Sequence, residues 1–273
     1  MGRHHARRLG ERGDVTLRLV DPSQGHPAPT RPRADFAIVA TPTATHAEVA
    51  GPLLAAGIPC LVEKPLALSL PDAEALAAFE ALSVGHVERF NPALQVVQGV
   101  KPRFIEATRL TPWPKPTRAG GRGTDADVLA DLMLHDLDLA LGFLPGEPTD
   151  VRAVGAGVLS GSPDIARARL EIGGGVADLT ASRVSRHAER TLRLVEDGVY
   201  WSVDLLAGRA TRVRWGEGEL DGEEVPVPAG DALTAEHEAF LQAVRGDGPY
   251  PVPGAEAVRV LRIIEAVREA LTR

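Results

Sequence analysis

The chain has 273 residues, 44% of them apolar and 25% charged, with a formal charge of −7; these are the proportions of a soluble globular protein, long enough for one large domain or two ordinary ones. The negative balance argues against a nucleic-acid partner, which relies on clustered Lys and Arg, and no stretch approaches the roughly 18 apolar residues of a membrane span. The only cysteine, Cys60, excludes an internal disulfide and a cysteine-based zinc site, and the basic N-terminus lacks the apolar run of a secretory signal, so a cytoplasmic location is expected.

"MGRHHARRLG" reads as a helix entered from a glycine turn at Gly2, with His4 and His5 as surface residues. Val15, Leu17 and Leu19 alternate with Thr16 and Arg18, which predicts a strand closing on the acid Asp21. The Pro-rich stretch that follows is too short for a helix plus a strand. "DFAIVA" is a continuous apolar run, as in a parallel strand covered on both faces. Thr45 and Glu48 form a capping-box pattern opening a helix, which Pro52 should kink or restart and Gly57 end. "IPCLVE" is the next strand, holding Cys60 as an inert buried thiol; "SLPDAEALAAFEAL" is a capped helix and "SVGHV" a further strand.

This alternation predicts a parallel sheet with helical crossovers up to about Val87. Beyond Asn91 the rhythm changes. "DVLADLMLHDLDLALGFL" is one helical segment, and from Val151 to Val227 successive strands ("ARARLEI", "VADLTASRV", "RTLRLVED", "VYWSVDLL", "RVRW") are joined by Gly and Asp turns. A terminal helix, "GAEAVRVLRIIEAVREAL", closes the chain. The expected fold is α/β: a truncated Rossmann-like parallel lobe over residues 1–90, and an α+β lobe over 91–273 with an open, largely antiparallel sheet.

Four places carry polar chemistry. Asp131, His135 and Asp138 stand at i, i+4 and i+7 of an otherwise apolar helix, so they share one face. Such a buried stripe is either paired internally or used. As a metal site it lacks a second histidine at ligand spacing, and no metal is expected. Glu63 and Lys64 end a buried parallel strand, where ligands of such sheets bind; a partly desolvated lysine there is suited to proton transfer, while a solvated charge pair is the plainer alternative. Asp21 is either an Asp–Pro turn or the acid that accepts hydrogen bonds from an adenosine ribose. Arg89 and Asn91, in "GHVERFNP", either bind a polyhydroxylated ligand or hold the domain junction together.

Together "MGRHHARRL", "VDP", "ATPTATHAEVA", "VEKPLALS", "VGHVERFNPA", "DLMLHDLDLAL" and "EHEAFLQAVRGDGPYPV" resemble the glucose–fructose oxidoreductase/inositol dehydrogenase family (Gfo/Idh/MocA). "VGHVERFNPA" with "DLMLHDLDLAL" looks most like its branch acting on nucleotide-linked amino sugars, such as the UDP-N-acetylglucosamine 3-dehydrogenases. The resemblance implies an NAD-dependent oxidoreductase acting on a ring hydroxyl of a sugar or nucleotide sugar; inositol or simple-sugar dehydrogenation, and a non-catalytic member with a degenerate cofactor lobe, are the alternatives. It implies that Lys64 lies beside the nicotinamide and the reacting hydroxyl, that His135 exchanges the hydroxyl proton, and that Asp131 orients them. Gly2, Asp21, Thr41, Pro42, His46 and Glu63 would hold the cofactor, with Asp21 favouring NAD over NADP, and Arg89 and Asn91 would line the substrate pocket. A homo-oligomer is also implied.

In this family "MGRHHARRL" follows a strand and a Gly-x-Gly-x-x-Gly turn whose last glycine matches Gly2. The strand and the first two glycines are absent from the sequence, and the segments Pro22–Ala34 and "ALAAFEALSVGHV" are shorter than usual. Either Met1 is internal to a longer chain or the lobe is degenerate. The retention of Lys64, Asp131 and His135 favours the first.

Overall fold

The computed structural model describes residues 1–21, 33–113, 127–216 and 220–272. They form two units: Met1–Val87 with Asp231–Arg259, and Glu88–Gly230 with Val260–Arg273. Residues 231–259 therefore group with the first unit, although their place in the chain assigned them to the second domain.

In the first unit, β1 (Ala37–Val39), β2 (Cys60–Glu63) and β3 (Leu82–Gly85) form a parallel sheet in that order. Ala37 stands beside Cys60, and Cys60 beside Leu82. Every residue of β2 and β3 is buried, which is why "CLVE" and "LSVG" show no regular polar alternation. α2 (His46–Ala55) and α3 (Leu70–Ala77) are the crossovers. Ser69 caps α3, its hydroxyl accepting from the Asp72 N–H at 3.2 Å.

Three local expectations for this unit are corrected. The capping box at α2 does not form: the Thr45 side chain makes no cap bond, and its hydroxyl donates instead to the Pro42 carbonyl at 2.8 Å. Pro52 does not break α2, because it stands in the last turn; only the bond its own N–H would make is lost, and the Ala56 N–H still donates to the Pro52 carbonyl at 3.1 Å. Val15–Val20 is not a strand. Its alternation has the right period, but no described strand pairs with it and Leu17, Leu19 and Val20 are exposed. The segment Pro22–Ala34 lies largely outside the described residues.

Two further helices and the start of a third complete this unit. α1 (Gly2–Gly10) packs on α6 (Ala232–Val244). α7 (Gly254–Ala270) starts so close to the first sheet that a Cβ at Gly254 would stand 2.7 Å from the Ala77 Cα, which requires glycine there.

The second unit is built on an eight-stranded sheet. Its strands are β4 (Phe104–Leu110), β5 (Pro148–Ala156), β6 (Ile165–Ile172), β7 (Gly175–Ser182), β8 (Glu189–Glu196), β9 (Val199–Asp204), β10 (Arg209–Trp215) and β11 (Leu220–Val225). They lie in the order β11-β10-β9-β8-β4-β7-β6-β5, and every neighbouring pair is antiparallel except β4 with β7. Burial alternates along β6 and β7, so one face of the sheet is packed and the other wet. Gly173 and Gly174, with φ of 57° and 82°, make the two-residue turn that joins them. α4 (Pro92–Gln95) opens the unit, and α5 (Leu134–Phe143) packs against β4 and β7. No helix among the described residues is long and apolar enough to cross a membrane.

Candidate active site

In the first unit the polar groups gather at the carboxyl ends of the strands. The chain leaves β1 through Thr41 and Pro42 and leaves β2 through Lys64 and Pro65, whose peptide bond is cis. His46, 1% exposed, joins the two exits. Its Nε2 lies 3.0 Å from the Thr41 carbonyl oxygen and its Nδ1 3.0 Å from that of Pro65. A neutral imidazole carries one N–H and donates to one side at a time. Both ring nitrogens therefore face backbone, so His46 supports the loops that would hold a cofactor. Thr41 and Pro42 are exposed, and Lys64 is half-buried.

Glu63 is 6% exposed and points inward: its Oε1 lies 2.8 Å from His5 Nε2. His5, read from the sequence as a surface residue, is 3% exposed, while His4 is exposed. His5 and Leu9 are the buried residues of α1, one turn apart on the same face. Gly2 begins that helix. Its own position is within 4 Å of the Ala40 side chain if a Cβ is added, so the helix start sits at the exit of β1. Met1 supplies no side-chain cap and the first turn holds no acidic residue, which leaves the helix N-terminus fit for an anionic group such as a pyrophosphate. Asp21 is half-buried.

In the second unit the polar helix is more divided than its spacing suggested. It opens in a wide π-type turn, Leu129–Met133, containing Asp131, and continues as α5 with His135 in its first turn. Such turns favour functional positions. Asp131 and His135 are half-buried. Asp138, third in the stripe, is 2% exposed and accepts both Arg89 Nε at 2.7 Å and Nη2 at 2.5 Å. Asp136, which the sequence reading passed over, is 3% exposed and accepts from Arg109 Nη2 at 2.7 Å. Arg109 also donates to Glu88 at 2.9 Å, and Arg190 reaches the same Glu88 oxygen at 2.9 Å. Burial works to raise the Glu88 carboxyl, but Arg109 and Arg190 outweigh it and hold it below the usual carboxylate range.

Arg89 and Asn91 thus serve the fold first. Asn91 caps α4, its side-chain oxygen accepting from the Ala93 N–H at 3.0 Å, and its amide donates to the Leu205 carbonyl at 2.9 Å. Nothing in the local pattern of "FIEATRL" or "LHDLD" marks Arg109 and Asp136 as partners; the one available signal is an arginine in a stretch where apolar residues alternate with polar ones. Cys60 is fully buried and its thiol is pushed up to about 12 by that burial, as fits an inert thiol. Among the described residues no group of three or more His, Cys, Asp or Glu is arranged to hold a metal ion.

Comparison with known proteins adds the following. A family description reading "Oxidoreductase family, NAD-binding Rossmann fold" matches residues 23–83, and one reading "GFO/IDH/MocA C-terminal domain" matches residues 100–198. The UDP-N-acetylglucosamine 3-dehydrogenase of Acidithiobacillus ferrooxidans is 38% identical over 252 residues, covering 87% of this chain and 79% of that protein. A crystal form of that enzyme superposes with a TM-score of 0.84 at 34% identity, over 99% of this chain and 94% of the other. Myo-inositol dehydrogenase Hyg17 of Streptomyces leeuwenhoekii is 35% identical over 136 residues, 45% of this chain and 41% of that protein.

Proposed function

The chain belongs to the Gfo/Idh/MocA family of NAD-binding oxidoreductases, and from that premise we propose that it oxidises a ring hydroxyl of a nucleotide-linked amino sugar, UDP-N-acetylglucosamine or a close analogue. The observation that carries this reading is the 38% identity to a UDP-N-acetylglucosamine 3-dehydrogenase across 87% of the chain. A bound nicotinamide would accept the hydride.

The chain's own part is proton handling and orientation. Oxidation of the alcohol removes its O–H proton, and His135 is the imidazole assigned to take it. Lys64, leaving β2 at its carboxyl end, is assigned to stabilise negative charge on the same oxygen with its ammonium group. Asp131, one turn before His135, orients the imidazole. Gly2 with the first turn of α1 would receive the pyrophosphate, Thr41 and Pro42 would line the dinucleotide, and His46 and Glu63 would support those loops from behind. Asp21 would accept from the adenosine ribose and repel a 2′-phosphate, which selects NAD over NADP. Arg89, aligned by Asp138, and Asn91, at the start of α4, would bound the sugar.

Two coarser features belong to the same reading. Self-association would use the large sheet, on which Val154, Ile165, Trp215 and Leu220 are exposed, and light scattering tests it. A cytoplasmic setting suits the single reduced, buried Cys60.

The test is formation of reduced nicotinamide, followed by absorbance, with UDP-N-acetylglucosamine, other nucleotide sugars, free hexoses and myo-inositol. The nucleotide sugar with NAD is expected to give the highest kcat/KM, and Lys64→Ala and His135→Ala are expected to abolish most of it. Asp21→Ser should raise the use of NADP relative to NAD. Turnover of myo-inositol alone would move the assignment to the inositol branch, and no turnover of any would overturn it.

A further inference from the structure

Behind the strand end that carries Lys64, four buried ionisable groups from three separate stretches of the chain meet. His5 lies on α1, Glu63 ends β2, and Glu236 and His237 are neighbours on α6. Their exposures are 3%, 6%, 0% and 2%. His5 Nε2 stands 2.8 Å from Glu63 Oε1, and His5 Nδ1 stands 2.8 Å from His237 Nε2.

Neutral rings satisfy both contacts with one arrangement of protons. A carboxylate only accepts, so the His5 proton sits on Nε2; the Nδ1 lone pair then accepts from an N–H on His237 Nε2. Burial, His5, Arg8 and Arg12 push His237 down to about 4 against the opposing pull of Asp231, so that ring is neutral and ready to donate. Glu236 lies beside the chain with both oxygens buried and without a hydrogen-bond partner among the described residues. Its burial, with Glu63 nearby, raises it well above the ordinary value. Glu63, the acceptor at the end of this chain of contacts, is one residue from Lys64. On the neighbouring strand Glu63 faces Gly85, where a Cβ would come within 3.3 Å of the Glu63 Cα and 3.4 Å of its carboxyl carbon.

We propose that His5 is a positioning residue for Lys64: the one-way donor chain His237 to His5 to Glu63 ties α1 and α6 to the end of β2 and so sets where the Lys64 amine stands. This rests on the role given to Lys64 above. It also gives α1 two tasks, with Gly2 at its start serving the cofactor and His5 one turn later steadying the strand that carries the lysine.

The chain has three lysines, Lys64, Lys101 and Lys115, so competitive acylation read peptide by peptide reports the amine of Lys64 without any cofactor. Across a pH series, His5→Ala is expected to change the rate and midpoint of Lys64 labelling and leave Lys101 as in the parent. In turnover it should lower kcat by about 10- to 100-fold while KM for the sugar changes little. His5→Gln places an amide nitrogen near the Nε2 position and should restore both; His5→Asn, whose nitrogen falls near Nδ1, should restore neither.

Parental labelling of Lys64 in His5→Ala, with parental kcat, would overturn the proposal and leave the dehydrogenase reading standing. Absence of turnover in the parent would overturn that reading, and the labelling arm would still decide whether His5 governs Lys64. If His5→Ala fails to fold by circular dichroism, the contrast between His5→Gln and His5→Asn decides: equal labelling in the two overturns the proposal, and parental labelling in Gln alone supports it.

Discussion

Replacing Glu236 by glutamine should change how stability depends on pH. Glu236 is 0% exposed, its two oxygens find no hydrogen-bond partner among the described residues, and burial with Glu63 nearby holds its carboxyl well above the ordinary value. The folded state therefore keeps a proton that the unfolded chain releases near the normal glutamate range. Stability from this group is fully present below the unfolded value and is lost as pH rises toward the folded one. In that window the loss is about 1.4 kcal/mol per pH unit. Glutamine does not titrate, so the loss disappears in Glu236→Gln. At low pH the variant should be the less stable by about 1–3 kcal/mol, because its amide brings extra donors into a site without acceptors. As pH rises the parent should lose ground at that slope until the order reverses. Urea unfolding followed by circular dichroism at a series of pH values gives both curves. Parallel curves would refute the reasoning, since they would mean that Glu236 ionises as freely in the folded protein as in the unfolded one.

Two further outcomes follow from the burial of other groups. Arg109→Ala leaves Asp136 and Glu88 buried with Arg190 as their remaining arginine, so urea unfolding should show a loss of about 3–5 kcal/mol. Arg109→Met combined with Asp136→Leu should lose clearly less, because Glu88 keeps Arg190 and no new charge is stranded. Cys60, buried and with its thiol pushed up to about 12, should resist a thiol reagent in the folded protein and react at once in denaturant. Ready reaction under native conditions would mean that β2 opens far more than its complete burial implies.

The legible part of the fold was the part written in local patterns. Continuous apolar runs gave away β2 and β3, Ser69 announced the start of α3, and the alternation in "ARARLEI" and "VADLTASRV" matched β6 and β7 closely. Lys64 at a strand exit and His135 on an apolar helix were visible for the same reason. What stayed hidden depended on distant partners. Val15–Val20 has strand periodicity, yet periodicity does not supply a neighbour. β4 lies in the interior of the large sheet between β7 and β8, which are joined to it only through the three-dimensional order. His5 sits in a strongly polar helix, and its burial is decided by Glu63, 58 positions away, and His237, 232 positions away. Asp136 lies between the two residues the helical spacing emphasised and was masked by them.

The first unit is drawn from two distant stretches, residues 1–87 and 231–259. At about 5–20 residues per second a ribosome needs on the order of ten seconds to make the intervening chain. During that wait β1, β2 and β3 exist without Phe240 and Val252, both of which are fully covered in the finished protein. Nascent chains should therefore expose a half-built sheet well before release. A circular permutant beginning near Asp231 would remove the delay.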